Sequence, residues 1–335
     1  MGDGPLDVIG IGNAIVDVIA HASEKDLTDL ELTKGAMTLI DAARAEFLYE
    51  RMGAAVEISG GSAANTMVGC AQLGGAAAYI GKVRNDQFGG IFLHDISAAG
   101  VEFPTAPAIT GEPTARCLVF VTPDAQRTME TYLGASVGLG PDDIDAHGIR
   151  RAKITYLEGY LWDAPPAKKA FVLASEIAHA AGKKVALTLS DAFCVDRHRQ
   201  SFQELIAAHV DILFANEAEI ISLYQTTNFD QALAQVKNHC EMVALTRSEK
   251  GAVILSRDDT HTIKAAPVAQ VLDTTGAGDL FAAGFLFGVT RGHSPAICGR
   301  IGSICAAEII SHFGARPEKS LDQLVVERMG PGVLG

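Results

Sequence analysis

The chain has 335 residues, 48% of them hydrophobic and 6% aromatic, which is enough apolar material for one large α/β domain or two smaller ones. Its net charge of −13 excludes non-specific attraction to nucleic acid or to an anionic membrane surface. Six cysteines without a Cys-x-x-Cys pair read as reduced thiols, the apolar stretches fall short of a membrane span, and Met1-Gly2-Asp3-Gly4-Pro5 lacks the basic start of a signal peptide, so a soluble cytoplasmic protein is expected.

Along the chain, short β-branched runs alternate with helical stretches. Residues 8–11 are the first expected strand and lead into Gly12-Asn13. Residues 16–21, which include Asp17, alternate apolar and polar. Gly60-Gly61-Ser62-Ala63-Ala64-Asn65 then opens a small-residue helix that stops at Gly74-Gly75. Residues 116–121 and 128–133 alternate again around the turn-rich Pro123-Asp124-Ala125-Gln126, and with 16–21 they read as antiparallel strands. Further strands are expected at 153–157, 185–189, 212–214 and 242–246, separated by helices at 165–181, 198–209, 216–224 and 230–239. Strands so spaced imply right-handed crossovers and a parallel sheet covered on both faces, with ligands at the carboxyl ends of the strands. Asn13, Gly159, Asp191, Asn216 and Arg247 each follow a strand and so share one rim. The tail, 329–335, is glycine-rich and expected to be loose.

The most informative segment is Asp273-Thr274-Thr275-Gly276-Ala277-Gly278-Asp279, followed at once by an apolar run. Gly276 and Gly278 bracket Ala277 and let the backbone approach a ligand. The helix that follows offers unpaired N–H groups to an anion, and Asp279 stands on its first turn. A phosphate on those N–H groups with a base beside it can move a phosphoryl group onto an alcohol. The plainer account is an acid offsetting the helix dipole. Three other segments carry the same double reading. Asp17 is either a diol acceptor or an edge-strand acid. Asn216 and Glu219 form either a capping box or a Mg²⁺ site. Arg127 is either a phosphate contact or a solvated hairpin arginine.

Several motifs are missing. No Gly-x-x-x-x-Gly-Lys-Ser/Thr loop is present, Gly10-Ile11-Gly12 lacks the third dinucleotide glycine, and no His-Glu-x-x-His occurs. Gly134-Ala135-Ser136-Val137-Gly138 does match the hydrolase nucleophile elbow, which leaves a serine hydrolase using Ser136 as a competing reading, although a loop rather than a helix is expected after the serine.

Asp-Thr-Thr-Gly-Ala-Gly-Asp near one end and Gly-Gly-Ser-Ala-Ala-Asn near the other together resemble the signatures of the ribokinase-like (PfkB-type) sugar and nucleoside kinases, over about residues 6–317. The resemblance implies one kinase domain, 1–335, with a central mostly parallel sheet, helices on both faces and a small β-sheet lid inserted at about 14–40 and 103–135. It implies ATP and Mg²⁺ as cofactors, with K⁺ bound near Asp273 and Thr275 in some relatives. By this likeness Asp279 is the base and Gly276, Ala277 and Gly278 form the anion loop. Asn13, Asp17, Gly60, Gly61, Ser62, Asn65 and Cys117 fall on the substrate side, Asp17 through Gly-Asn-x-x-x-Asp and Cys117 through Arg116-Cys117-Leu118. Asn216, Thr246, Arg247 and Gly251 fall on the nucleotide side, Glu219 reaches Mg²⁺ through water, and Arg127 clamps the transferring phosphate. Ser248 departs from the family's Thr-x-Gly-x-x-Gly. Tyr160 and Phe193 match aromatic positions of adenosine kinases, and Thr275 replaces the asparagine of eukaryotic ones, which points to a bacterial branch. The expectation is an adenosine kinase, with a ribokinase- or fructokinase-type sugar kinase as the alternative, acting as a monomer or homodimer without nucleic acid or membrane partners.

Overall fold

The computed structural model describes residues 4–237, 239–257 and 259–334. Fourteen strands are present among them: β1 (Leu6–Ile11), β2 (Ile15–His21), β3 (Met37–Leu39), β4 (Ala55–Gly60), β5 (Ala77–Ile80), β6 (Val101–Glu102), β7 (Ala115–Val121), β8 (Arg127–Tyr132), β9 (Ala152–Glu158), β10 (Lys184–Thr188), β11 (Ile212–Asn216), β12 (Met242–Thr246), β13 (Ala252–Ser256) and β14 (Thr260–Ile263). Nine form one sheet in the order β14-β13-β12-β11-β10-β9-β1-β5-β6, and five form another in the order β3-β8-β7-β2-β4. In the large sheet every pairing from β12 to β6 is parallel, and only the two pairings of β13, with β12 and with β14, are antiparallel.

Burial explains the near-continuous apolar runs. Successive residues feed two separate cores, one on each face: Ile212, Phe214, Ala244 and Ile254 point into the first, and Leu213, Ala215, Leu245 and Leu255 into the second. The first core is closed by helices that include Ser62–Gln72, Ala277–Thr290 and Pro295–Ile309, and the second by Pro165–Ala180, Ala192–His209 and Glu217–Tyr224. Because β1 and β9 to β12 are parallel, Asn13, Gly159, Asp191, Asn216 and Arg247 do lie at one rim of the sheet.

The small sheet corrects one expectation. β7 and β8 are antiparallel, but β2 pairs with β7 in parallel, as does β3 with β8. Alternation reports that one face of a strand is buried and the other is not, and it carries no information on direction. β4, outside both expected lid segments, is the antiparallel partner of β2 and ends at Gly60. The helix expected at 198–209 begins earlier, at Ala192, because Asp191 caps it by accepting from the Cys194 N–H, and it kinks at His198. The helix expected at 230–239 spans Phe229–Val236, and residue 238 lies outside the described residues. The tail is ordered through residue 334: Val333 is buried and its carbonyl accepts from His293 at 2.7 Å. Residues 1–3 and 335, also named in the sequence reading, are outside the described part. Among the described residues no helix is long and apolar enough to cross a membrane, and the six cysteines are free.

Candidate active site

Two helix starts face each other at the rim. Gly276, at φ +79°, begins the helix Ala277–Thr290 in a conformation that strains any side chain, and a Cβ there would press on Ala315 at 3.2 Å. The Ala277 N–H is used by the Thr274 carbonyl at 3.2 Å, so the open donors are those of Gly278 and Asp279, which have no protein partner among the described residues. Opposite, the helix Ser62–Gln72 presents Ser62 and Asn65, three residues apart and so on one face. Both grip Asp279: Ser62 Oγ donates to Oδ1 at 2.6 Å and Asn65 Nδ2 to Oδ2 at 3.1 Å. The Asn65 Oδ1 atom is buried and has no partner among the described residues, leaving an acceptor for a hydroxyl. Burial raises the Asp279 carboxyl above the usual range, while Ser62, Asn65 and the Arg316 guanidinium pull the other way.

Asp17 reaches the same place from β2. Its carboxylate lies over Gly60, where a Cβ would come within 2.4 Å of Oδ2, and Gly61, at φ +97°, turns against the Asn13 carbonyl. These contacts account for the glycine pair as close packing. Burial pushes Asp17 up to about 6, with Arg316 and Arg127 opposing and Asp279 adding to the rise. Cys117 stands beside Asp17 on β7, is buried, and accepts from Thr131 Oγ1 at 3.3 Å.

Asn13 is buried beneath this group rather than open to it. Its Nδ2 donates to Glu158 Oε1 at 2.8 Å and its Oδ1 accepts from Ser136 Oγ at 2.9 Å. Glu158 also accepts from the Asn13 N–H at 3.1 Å and, through Oε2, from the Ala63 N–H at 2.8 Å, and burial pushes it up to about 7. The serine hydrolase reading fails here. Ser136 is fully buried in a 3₁₀ turn, Gly134–Gly138, and its hydroxyl is committed to Asn13 and the Leu133 carbonyl, whereas a nucleophile needs an exposed elbow with a histidine beside it.

On the nucleotide side, Asn216 and Glu219 form a complete capping box: Glu219 Oε2 accepts from the Asn216 N–H at 2.9 Å, and Asn216 Oδ1 from the Glu219 N–H at 2.9 Å. Burial, with the charge of Asp191 beside it, pushes Glu219 up to about 7. Among the described residues no group of three or more His, Cys, Asp or Glu side chains could hold a metal. A carboxylate pressed by a second carboxylate fits a divalent cation that arrives with nucleotide phosphates and is met through water. Arg247 forks onto Glu217 at 3.1 and 3.2 Å and stacks 3.9 Å over Phe229, so its guanidinium is committed to the protein. Thr246 ends β12, and Ser248 takes φ +50°, the conformation for which the resembled motif has glycine. Gly251, at φ +86°, closes the loop by accepting from the Arg247 N–H at 2.7 Å.

Arg127 is no solvated hairpin residue. It begins β8, and its Nη1 meets Asp273 at 2.5 Å with both side chains nearly buried. Asp273 also accepts from the N–H groups of Thr275 at 2.9 Å and Gly314 at 3.0 Å. With a guanidinium already on this carboxylate, the residues present do not fit K⁺ there. Tyr160 (39% exposed) and Phe193 (77% exposed) both stand at the rim, Phe193 on the first turn of its helix. Glu158 and Arg316 were missed as site residues: each is a lone charged residue without a motif, and its partners are far away in sequence.

The fold is the ribokinase-like α/β fold. The pattern of the pfkB family carbohydrate kinases matches residues 37–321. The crystal structure of adenosine kinase from Sinorhizobium meliloti is 51% identical, with a TM-score of 0.89 over 97% of this chain and 100% of that one. That of a probable sugar kinase from Rhizobium etli CFN 42 is 50% identical, with a TM-score of 0.90 over 98% and 99%. Adenosine kinase of Saccharomyces cerevisiae is 26% identical over 329 residues, 92% of this chain and 95% of its own. A match over most of its length makes the chain a member of the pfkB carbohydrate kinase family, phosphotransferases that act on a hydroxyl group.

Proposed function

We propose that the protein is an adenosine kinase, transferring the γ-phosphate of Mg·ATP to the 5′-hydroxyl of adenosine in the cytoplasm. The observation that carries this reading is the pair of exposed rings, Tyr160 and Phe193, at the same rim of the large sheet. A purine needs flat apolar surface, whereas a free sugar is held by hydrogen bonds alone. The likeness to the adenosine kinase of Sinorhizobium meliloti supports it.

In this reading Asp17 accepts from the ribose diol and the unpartnered Asn65 Oδ1 takes another hydroxyl. Asp279, aimed by Ser62 and Asn65, takes the 5′-hydroxyl proton as that oxygen attacks phosphorus. The free N–H groups of Gly278 and Asp279 hold the transferring phosphoryl oxygens at a helix start. Glu219 and Asp191 face the side where Mg²⁺, bound with ATP, neutralises phosphate charge. Asn13, Gly60, Gly61 and Cys117 shape the substrate side, and Asn216, Thr246 and Gly251 the nucleotide side. The small sheet, carrying Asp17 and Arg127, serves as the lid over the acceptor.

The test is a phosphorylation screen of nucleosides and sugars with Mg·ATP. Adenosine should lead by kcat/KM, and 2′-deoxyadenosine should be roughly ten- to a hundredfold poorer, the cost of a lost hydrogen bond to a charged acceptor. A screen led by ribose or fructose would replace adenosine with a sugar acceptor, the reading that the Rhizobium etli relative's name favours.

A further inference from the structure

Arg316 belongs to none of the motifs, yet its guanidinium lies where the substrate-side segments meet. Nη2 donates to the Ser59 carbonyl and, at 2.8 Å, to Ser59 Oγ, while Nη1 reaches the Ala64 carbonyl at 3.5 Å. Ser59 immediately precedes Gly60, over which Asp17 sits, and Ala64 lies between Ser62 and Asn65, which hold Asp279. One side chain therefore spans both flanks of the Gly60-Gly61 turn. Asp95 secures the far side of Ser59, accepting from its N–H at 2.8 Å and its hydroxyl at 2.5 Å.

The loop that carries Arg316 is itself fixed. The buried Glu308 accepts from the N–H groups of Glu318 at 3.1 Å and Lys319 at 3.0 Å, and from His312 Nε2 at 3.1 Å. Two residues before Arg316, the Gly314 N–H donates to Asp273, and Ala315 packs on Gly276. A single loop thus supports the anion loop on one side and the glycine turn on the other.

We propose that Arg316 is a positioning residue for phosphoryl transfer, tying the turn that seats Asp17 to the helix that aims Asp279 and supplying the positive charge that both carboxylates face. This rests on the phosphotransferase reading of the same site. Arg316 is the cation acting on Asp279; the other charged or titratable groups in its field are Asp17 on β2, and Tyr156, Glu158 and Tyr160 on and just after β9. Asp17 faces Arg316, Arg127 and Asp279. Without Arg316 the base would lose the positive charge that offsets its burial and the neighbouring Asp17 and Glu158 carboxyls. A planar fork, rather than a point charge, is needed to reach Ser59 and Ala64 together.

The experiment compares wild type, Arg316→Met and Arg316→Lys, measuring kcat against pH at saturating acceptor so that Asp17 drops out and the acid limb reports Asp279. Arg316→Met should lose roughly ten- to a hundredfold in kcat, and its acid limb should move up by about one pH unit or more, as expected when a carboxylate loses an opposite charge. Arg316→Lys should bring the limb back towards the wild-type position while kcat stays low, because the fork is gone. An Arg316→Met limb that coincides with wild type, with only a lowered Tm, would reduce Arg316 to a structural residue and overturn the proposal. So would a lysine variant whose limb follows that of methionine. Arg316→Gln, which keeps an amide for Ser59, carries the same comparison if Arg316→Met does not fold. Wild-type protein that phosphorylates no alcohol would instead refute the function itself.

Discussion

Arg127 and Asp273, 146 residues apart, meet at 2.5 Å as a nearly buried ion pair that joins the small sheet to the loop at the start of the helix Ala277–Thr290. The contact matters because Asp273 also shapes that loop through the N–H groups of Thr275 and Gly314. Any motion that lifts β8 from the large domain must break the pair. The Arg127 Nε is buried and has no hydrogen-bond partner among the described residues, so this donor is left over once Nη1 has met Asp273.

That geometry predicts energetic coupling. Arg127→Gln and Asp273→Asn should each destabilise the protein, because removing one member of a buried pair leaves an uncompensated charge, a loss on the order of 3–5 kcal/mol. The double variant should lose less than the sum. Denaturant unfolding of all four proteins measures this, and strict additivity would show that the two side chains do not act as a unit.

Asp279→Asn keeps the shape that Ser62 and Asn65 hold but cannot take a proton. Loss of a general base costs about 10²–10⁴-fold in rate. ATP binding, measured by calorimetry, should survive while turnover collapses. Turnover near the wild-type value would remove Asp279 from the role of base.

Asp17 predicts opposite responses of binding and stability to pH. Its carboxyl stands at about 6 instead of 3.8, so the folded protein holds this proton more tightly than the unfolded chain. Its contribution to stability is present below about pH 4 and is lost as pH rises through about 6. Diol binding needs the ionised form, so KM for the acceptor should rise as pH falls below about 6. Asp17→Asn should therefore be more stable than wild type at pH 7, by on the order of 2–3 kcal/mol, and nearly unable to bind acceptor. A variant less stable than wild type at pH 7, with its ordinary KM, would contradict both halves of the argument.

Much of this arrangement leaves a trace in the amino-acid sequence, for a physical reason. The anion loop and the Gly-Gly turn each place several constrained residues in a row, so geometry leaves a local trace. Residues 8–11, 153–157 and 212–214 were readable as strands because both of their faces are buried. The parallel pairing of β2 with β7 left no trace, since alternation looks the same in either direction. Glu158 and Arg316 were invisible for a different reason. Their partners lie 95 to 257 residues away, and one buried charge carries no local pattern. Arg247 shows the reverse failure: its position matched the nucleotide side, but Glu217 and Phe229 hold its guanidinium.

The choice of acceptor turns on Phe193. A large apolar ring that is 77% exposed on the first turn of a helix gains nothing from folding, because its surface stays in water. Covering it with a purine would recover on the order of 1.5–3 kcal/mol, the value of burying a Phe side chain. Phe193→Ala should therefore raise KM for adenosine by roughly ten- to a hundredfold, with kcat little changed because an apolar ring takes no part in the proton transfer. Since folding makes little use of this ring, the variant should keep the wild-type Tm. Any activity on free ribose should be untouched, because ribose has no base to stack. Equal losses on adenosine and ribose would place Phe193 in the general architecture of the cleft. An unchanged KM for adenosine would remove the aromatic wall from the argument and leave the acceptor to be decided among sugars.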